Sequence, residues 1–485
     1  MQSLSRPYAS KGVAGVQCVA GRTAVMARRM TLCRPQAAAV EIDTVNHTID
    51  ELDSPTPGHL GTDGIMLQGF HWESHKTHPW YNNIKQKIPE IQGAGFTHIW
   101  LPPPSQSVSP EGYMPGQLYN LTSAYGNEQQ LVELNEALKA AGIAPLADIV
   151  INHRCADSQD EQGRWNNYHD DHDHEGHSID WGQWAITCDD HEFGGQGNKD
   201  TGDDFWGAPD LDHTNSHLRE ALVHWLQHLR DNVGFTGWRF DFARGYAAKY
   251  IQQYVEGSGT QDDLNVGEVW TDLHWDDTTL GPNQNDARQR ICDWIDGTKR
   301  RSTAFDFVTK GVLQEAVKNC EYWRLADGQN MAPGLIGWWP QRAVTFVDNH
   351  DTGSTQRHWE FPRDRVAQGY AYILSHPGMP CIAFDHYFDW GSKLRKEIDT
   401  LMQVRRDAGI VAKSKLEILC AEGDMYVGRV TGTKGSLMLK LGPRYDMGEL
   451  VPKEEDGWAK AAKGKDYCVW LKQNDEGAAT EAEQQ

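Results

Sequence analysis

Three acids, two histidines and an arginine fall at the ends of short apolar stretches that read as β-strands. The stretch 144–151 leads from Asp148 to Asn152 and His153, and 236–242 carries Arg239-Phe240-Asp241. Glu268 and Trp270 follow in 264–270, and 343–348 runs into Asp348-Asn349-His350-Asp351. Side chains two apart on a strand share a face, so Arg239 and Asp241 point the same way. A neighbouring guanidinium favours an ionised carboxylate, which predicts a lowered pKa for Asp241, as a nucleophile requires. Glu268, arriving from the next strand beside other carboxylates, is predicted to hold its proton more tightly and to suit a general acid. Such a carboxyl pair is the arrangement for glycoside hydrolysis with retention of configuration. Asp351 is a third acid, placed to favour positive charge developing on a sugar ring.

Eight strand segments supply and position these groups: 64–70, 97–101, 144–151, 236–242, 264–270, 304–308, 343–348 and 381–385. Amphipathic stretches such as 127–141, 216–231, 363–374 and 393–407 alternate with them. Continuous apolar strands alternating with helices predict a parallel sheet covered on both faces, and eight such units predict an α/β fold, a (β/α)₈ TIM barrel. In that barrel the C-terminal strand ends gather reacting groups at one mouth.

The rhythm breaks after Asn152. About sixty residues rich in Asp, Gly and His separate it from the helix near Ser216, and a connection that long predicts an inserted loop-rich domain with its own ligands. After 411 the alternation turns strand-like and predicts a C-terminal antiparallel β-domain. The expected division is a transit peptide at 1–42, a barrel over 60–153 and 213–411, the insertion at 154–212, the β-domain at 412–473 and an acidic tail at 474–485.

Composition narrows the ligand. Among 485 residues, 46 Lys+Arg face 68 Asp+Glu, a net charge of −22 that disfavours nucleic acid and anionic membrane as partners. The 19 Trp and 21 His suit a neutral polyhydroxylated ligand instead. Nine scattered cysteines without a CxxC pair read as reduced thiols. Residues 1–40 hold Arg6, Lys11, Arg22, Arg28, Arg29 and Arg34 and no acid, which fits an organellar leader and a plastid location better than a cytoplasmic or secreted one.

Four segments, DIVINH (148–153), GWRFDFARGY (237–246), GEVW (267–270) and FVDNHDTGSTQ (346–356), closely resemble the signatures of the α-amylase family of glycoside hydrolases. EGYMPGQLYNL (111–121) and GLIGWWP (334–340) resemble its plant-type members. The resemblance implies an endo-acting, retaining enzyme that cuts α-1,4-glucosidic bonds of starch; the chain itself is expected to be a monomer whose partner is starch or a related α-glucan. It puts the nucleophile at Asp241, the acid/base at Glu268 and the transition-state stabiliser at Asp351. Arg239, His153 and His350 become contacts to substrate and nucleophile, and Tyr113, Met114, Arg244 and Trp270 line neighbouring sugar subsites. It also implies structural Ca²⁺, held by Asn152, Asp200, Asp210 and the carbonyls of Asp203 and Gly245, with Asp190 and Asp204 in an adjoining site. Trp338 and Trp339, with Tyr445, are candidates for a surface sugar site. The rivals are a transglycosylase or debranching enzyme of the same family, and a non-catalytic starch-binding protein.

Overall fold

The computed structural model describes residues 61–173 and 175–474. The expected leader at 1–42, and the tail beyond Asn474, lie outside the described residues. Eight parallel strands close into a barrel: β1 (Met66–Gln68), β2 (His98–Leu101), β3 (Ala144–Ile149), β4 (Gly237–Phe240), β5 (Asn265–Gly267), β6 (Thr303–Phe305), β7 (Ala343–Phe346) and β8 (Met379–Ala383). Each is followed by its helix, in order α1 (Trp80–Ala94), α2 (Glu128–Ala140), α3 (Ser216–Asp231), α4 (Lys249–Ser258), α5 (Asn285–Gly297), α6 (Phe307–Asn319), α7 (Val366–Ser375) and α8 (Ser392–Ala408). The chain is therefore a (β/α)₈ barrel, as its periodicity predicts.

The helices show why the periodicity is readable. On α3 the buried residues Leu218, Leu222, Trp225, Leu226 and Leu229 recur at helical spacing, and Asn215 caps the first turn by accepting from the His217 N–H. On α2 the Asn127 side chain and Gln130 exchange hydrogen bonds in a capping box. Most of the strands end before the apolar segments that announce them, and a helix cap accounts for one case. The sixth strand, expected through 308, stops at Phe305 because the Asp306 carboxylate caps α6, accepting from Thr309 N–H at 2.8 Å.

After α8 the chain forms a five-stranded antiparallel sheet, in the order β9 (Lys415–Ala421), β10 (Tyr426–Thr431), β11 (Gly435–Leu441), β13 (Tyr467–Gln473) and β12 (Ala459–Gly464). The edge strand β12, sequence AKAAKG, escapes a reading by alternation because most of it faces solvent and it buries only Ala462. This sheet locks onto the barrel through polar bonds, His376 Nε2 to the Tyr426 hydroxyl at 2.7 Å and Tyr467 O–H to Glu397 at 3.0 Å. None of the cysteines among the described residues forms a disulfide, and none of the described helices is long and apolar enough to cross a membrane.

Candidate active site

Register builds the site before any side-chain argument. In the parallel pair β3–β4, Asp148 stands opposite Arg239, so both reach the barrel mouth at one level. Arg239 is fully buried and is the only cation of the group. Its Nη1 lies 2.8 Å from Asp148 and 2.6 Å from Asp241, and its Nη2 is 3.0 Å from Glu268. Three carboxylates from three consecutive strands thus share one guanidinium. Asp148 also accepts from Trp100 Nε1–H at 3.0 Å and the Tyr113 hydroxyl at 2.8 Å, which leaves it fully occupied as a support. The sequence reading gave Asp148 no role; its position opposite Arg239 on the neighbouring strand was the available signal.

The expectation of a depressed Asp241 pKa is corrected. Burial is the largest influence on Asp241 and raises its pKa, with Arg239 opposing it and Asp351 adding to the rise. Glu268 is pushed up to about 7, again mainly by burial, against the pull of Arg239. A dry carboxyl cluster with one cation cannot hold every negative charge, so protons stay in it near neutrality. Their distribution follows from geometry. Asp241 accepts a short charge-assisted hydrogen bond from Arg239, whereas Glu268 meets the same guanidinium only as an ion pair and accepts from the Phe242 backbone N–H at 3.1 Å. Glu268 is the better place for a proton.

The histidines are neutral and fixed. Burial pulls His350 down to about 3 and His153 to about 4. Gln68, from β1, faces His350 Nδ1 at 2.9 Å; its amide N–H donates, so the imidazole proton is assigned to Nε2, which lies 3.3 Å from Asp351. His153 Nε2 sits 2.9 Å from the Tyr113 carbonyl. Tyr113 stacks on His350 at 5.1 Å, and Trp72 stacks on Tyr113 at 6.1 Å, giving the cleft an aromatic wall. Neither Gln68 nor Trp72 was read from sequence; Gln68 ends β1, a strand without a charged residue to mark it, and Trp72 opens the short 3-10 turn that follows. Trp270 stacks on Phe307 at 4.9 Å, its carbonyl accepts from Arg244, and Arg244 pairs with Asp203 of the insertion. Met114 packs with Cys155, Phe205 and Ala208 beside His153.

Next to the mouth lies a second group of acids that no cation pairs with among the described residues. Ligand oxygens of Asp200, Asp204 and Asp210 can be chosen within 4.8 Å of one another. Burial raises Asp210 to about 8 and Asp200 to about 6, with neighbouring aspartates adding to both. Asp200 Oδ2 is buried without a hydrogen-bond partner. Asn152 donates to Asp210 Oδ1 at 3.0 Å, and the Asp210 N–H donates to Asp190 at 3.0 Å. A Cβ on Gly245 would stand 1.9 Å from Asn152 Oδ1, so only glycine lets that backbone approach. A hard oxygen set with an orphaned carboxylate oxygen fits a divalent cation. The Asp203 side chain does not join this group, since it turns to Arg244.

The aromatic surface candidates are separated. Trp339 is only 6% exposed, beside Arg300 and Arg342, and the face of Trp338 is covered by Arg288 at 3.9 Å. Tyr445 is 79% exposed, with Lys440 at 5.0 Å from its ring.

With this geometry in hand, comparison with known proteins gives a family. Residues 80–382 match the model of the alpha amylase catalytic domain, and 407–471 match the alpha-amylase C-terminal beta-sheet domain. The chain belongs to the α-amylase family. It is 46% identical over 431 residues to probable alpha-amylase 2 of Arabidopsis thaliana, covering 88% of this chain and 99% of that one. Alpha-amylase 3, chloroplastic, of the same plant is 42% identical across 84% of this chain, which spans 44% of that longer relative. Among solved structures, a cyclomaltodextrin glucanotransferase superposes with a TM-score of 0.62 over 86% of this chain and all of its own, at 16% identity. That last likeness concerns the fold.

Proposed function

We propose that this α-amylase family member is an endo-acting, retaining α-amylase that hydrolyses internal α-1,4-glucosidic bonds of starch. The observation that carries the reading is the single Arg239 guanidinium shared by Asp241 and Glu268 at the barrel mouth. Asp241, held by that hydrogen bond, attacks the anomeric carbon while Glu268 donates its proton to the departing glycosidic oxygen. The C–O bond breaks, and a glycosyl ester of Asp241 remains. Glu268, now a carboxylate, takes a proton from water, whose oxygen attacks the same carbon and releases Asp241. Two inversions give net retention. Asp351, oriented by the His350 Nε2–H, stabilises the positive charge on the ring carbon and oxygen, and His153, His350 and Arg239 hold sugar hydroxyls or the nucleophile. Tyr113, Met114, Arg244 and Trp270 contact the rings on either side.

Asp200, Asp204, Asp210, Asp190, Asn152 and the carbonyls of Asp203 and Gly245 are proposed to hold Ca²⁺, which would neutralise the acids and pin the insertion (154–212) to the barrel. The basic segment ahead of residue 42 and the chloroplastic relative support a plastid location, checked by mass spectrometry of the mature N-terminus; a start at Met1 would contradict it.

The test of activity is product analysis on soluble starch. A rapid loss of viscosity before much reducing sugar appears supports the proposal; long transferred chains point instead to a transglycosylase and overturn it.

A further inference from the structure

Among the described residues Trp206 is one of few large apolar side chains left in water, 53% exposed, on a segment tied to the site from three directions. Its neighbour Phe205 stacks on the His153 ring at 3.8 Å and 16°. The Phe205 ring also stands 5.9 Å from that of Phe242, whose own N–H donates to Glu268. The Phe205 backbone N–H donates to Asp210 at 3.0 Å. Two residues earlier, Asp203 pairs with Arg244 of the loop that follows β4. Residues 203–205 are therefore held between β3, β4 and the acidic cluster, and Trp206 is carried on the rim they form. Burying an indole there would gain apolar area, so its exposure beside a polar cleft calls for a partner that is flat, apolar on its faces and hydroxylated at its edges.

We propose that Trp206 is a stacking platform for a glucose ring of the bound glucan, placed beyond His153 and setting affinity for longer chains. The inference rests on the glucan-binding reading given above. Trp206 touches no reacting atom, so it acts on binding and leaves the chemical step unchanged.

The experiment is calorimetric titration of maltoheptaose into the full chain made inactive by Glu268→Gln, with and without Trp206→Ala, alongside kinetics of Trp206→Ala in the active chain. Stacking of this kind predicts a roughly 3- to 10-fold weaker Kd for the alanine variant and a similar rise in KM for soluble starch. The kcat and the melting temperature stay unchanged, and Trp206→Phe recovers most of the affinity. Equal affinity with and without the indole overturns the inference even where the active chain degrades starch. Failure of the active chain to degrade starch sinks the proposed activity, while the titration still decides on Trp206. An inactive chain that binds no maltoheptaose removes the inference as well.

Discussion

Two acidic clusters, linked through Asn152 just beyond the end of the third strand, meet the same electrostatic problem differently. At the barrel mouth, Asp148, Asp241 and Glu268 surround Arg239, a buried permanent cation supplied by the fold. In the insertion, Asp200, Asp204 and Asp210 converge with no such cation among the described residues, and Asp200 Oδ2 has no hydrogen-bond partner among them. The first cluster is complete in the chain itself, with its protons placed by strand geometry. The second is the one proposed to take a bound cation. Catalytic carboxylates need a fixed, protein-supplied field, whereas a cluster that fastens a loop can take its positive charge from solution.

The comparison breaks most sharply at Asp241. Replacement by Asn is expected to lower kcat on starch by about 10⁴-fold or more while leaving circular dichroism and melting unchanged. Retained activity would take the nucleophile role from this residue. Next in size is Arg239→Met, which leaves buried carboxylates without their cation and is expected to cost about 3–5 kcal/mol of stability, read by denaturant titration. An unaffected midpoint would mean the cluster is not held by charge.

A smaller effect is expected from pH. Glu268 is raised to about 7, so the folded protein favours its protonated form. Its contribution to stability is present below the unfolded carboxyl range and is lost as pH rises through about 7. Activity, which needs the acid form, falls over the same interval, and kcat/KM measured from pH 5 to 9 should show that alkaline limb. On the other side of the comparison, a chelator should lower the melting temperature by several degrees, with recovery on adding Ca²⁺, because a ligand bound only to the native state stabilises it. No shift would remove the proposed role of Asp200 and Asp210. Least costly is Asp203→Asn, which removes an exposed partner of Arg244 and should change stability by about 0–1 kcal/mol.

How legible these clusters were in sequence follows from what each depends on. The barrel was legible because apolar strands and amphipathic helices alternate eight times, and Asp241, Glu268 and Asp351 stood at strand ends where the fold gathers chemistry. Gln68, Trp72 and Asp148 were not assigned, because their roles arise from contacts between β1, β3, β4 and β7 that no single segment reveals. The Asp241 pKa was misjudged from sequence for the same reason. The Arg239–Asp241 spacing is visible in the chain, but the burial and the crowd of acids around it are not. Trp339 is buried beside Arg300 and Arg342, and nothing in the adjacent Trp338-Trp339 pair marks in sequence which indole is buried.

The central claim is that Asp241 and Glu268 act as nucleophile and acid/base on one glucosidic bond. It is tested most directly by proton NMR of fresh maltoheptaose digests, read before mutarotation. The account predicts that the newly formed reducing ends appear first as the α-anomer; first appearance as the β-anomer would contradict it.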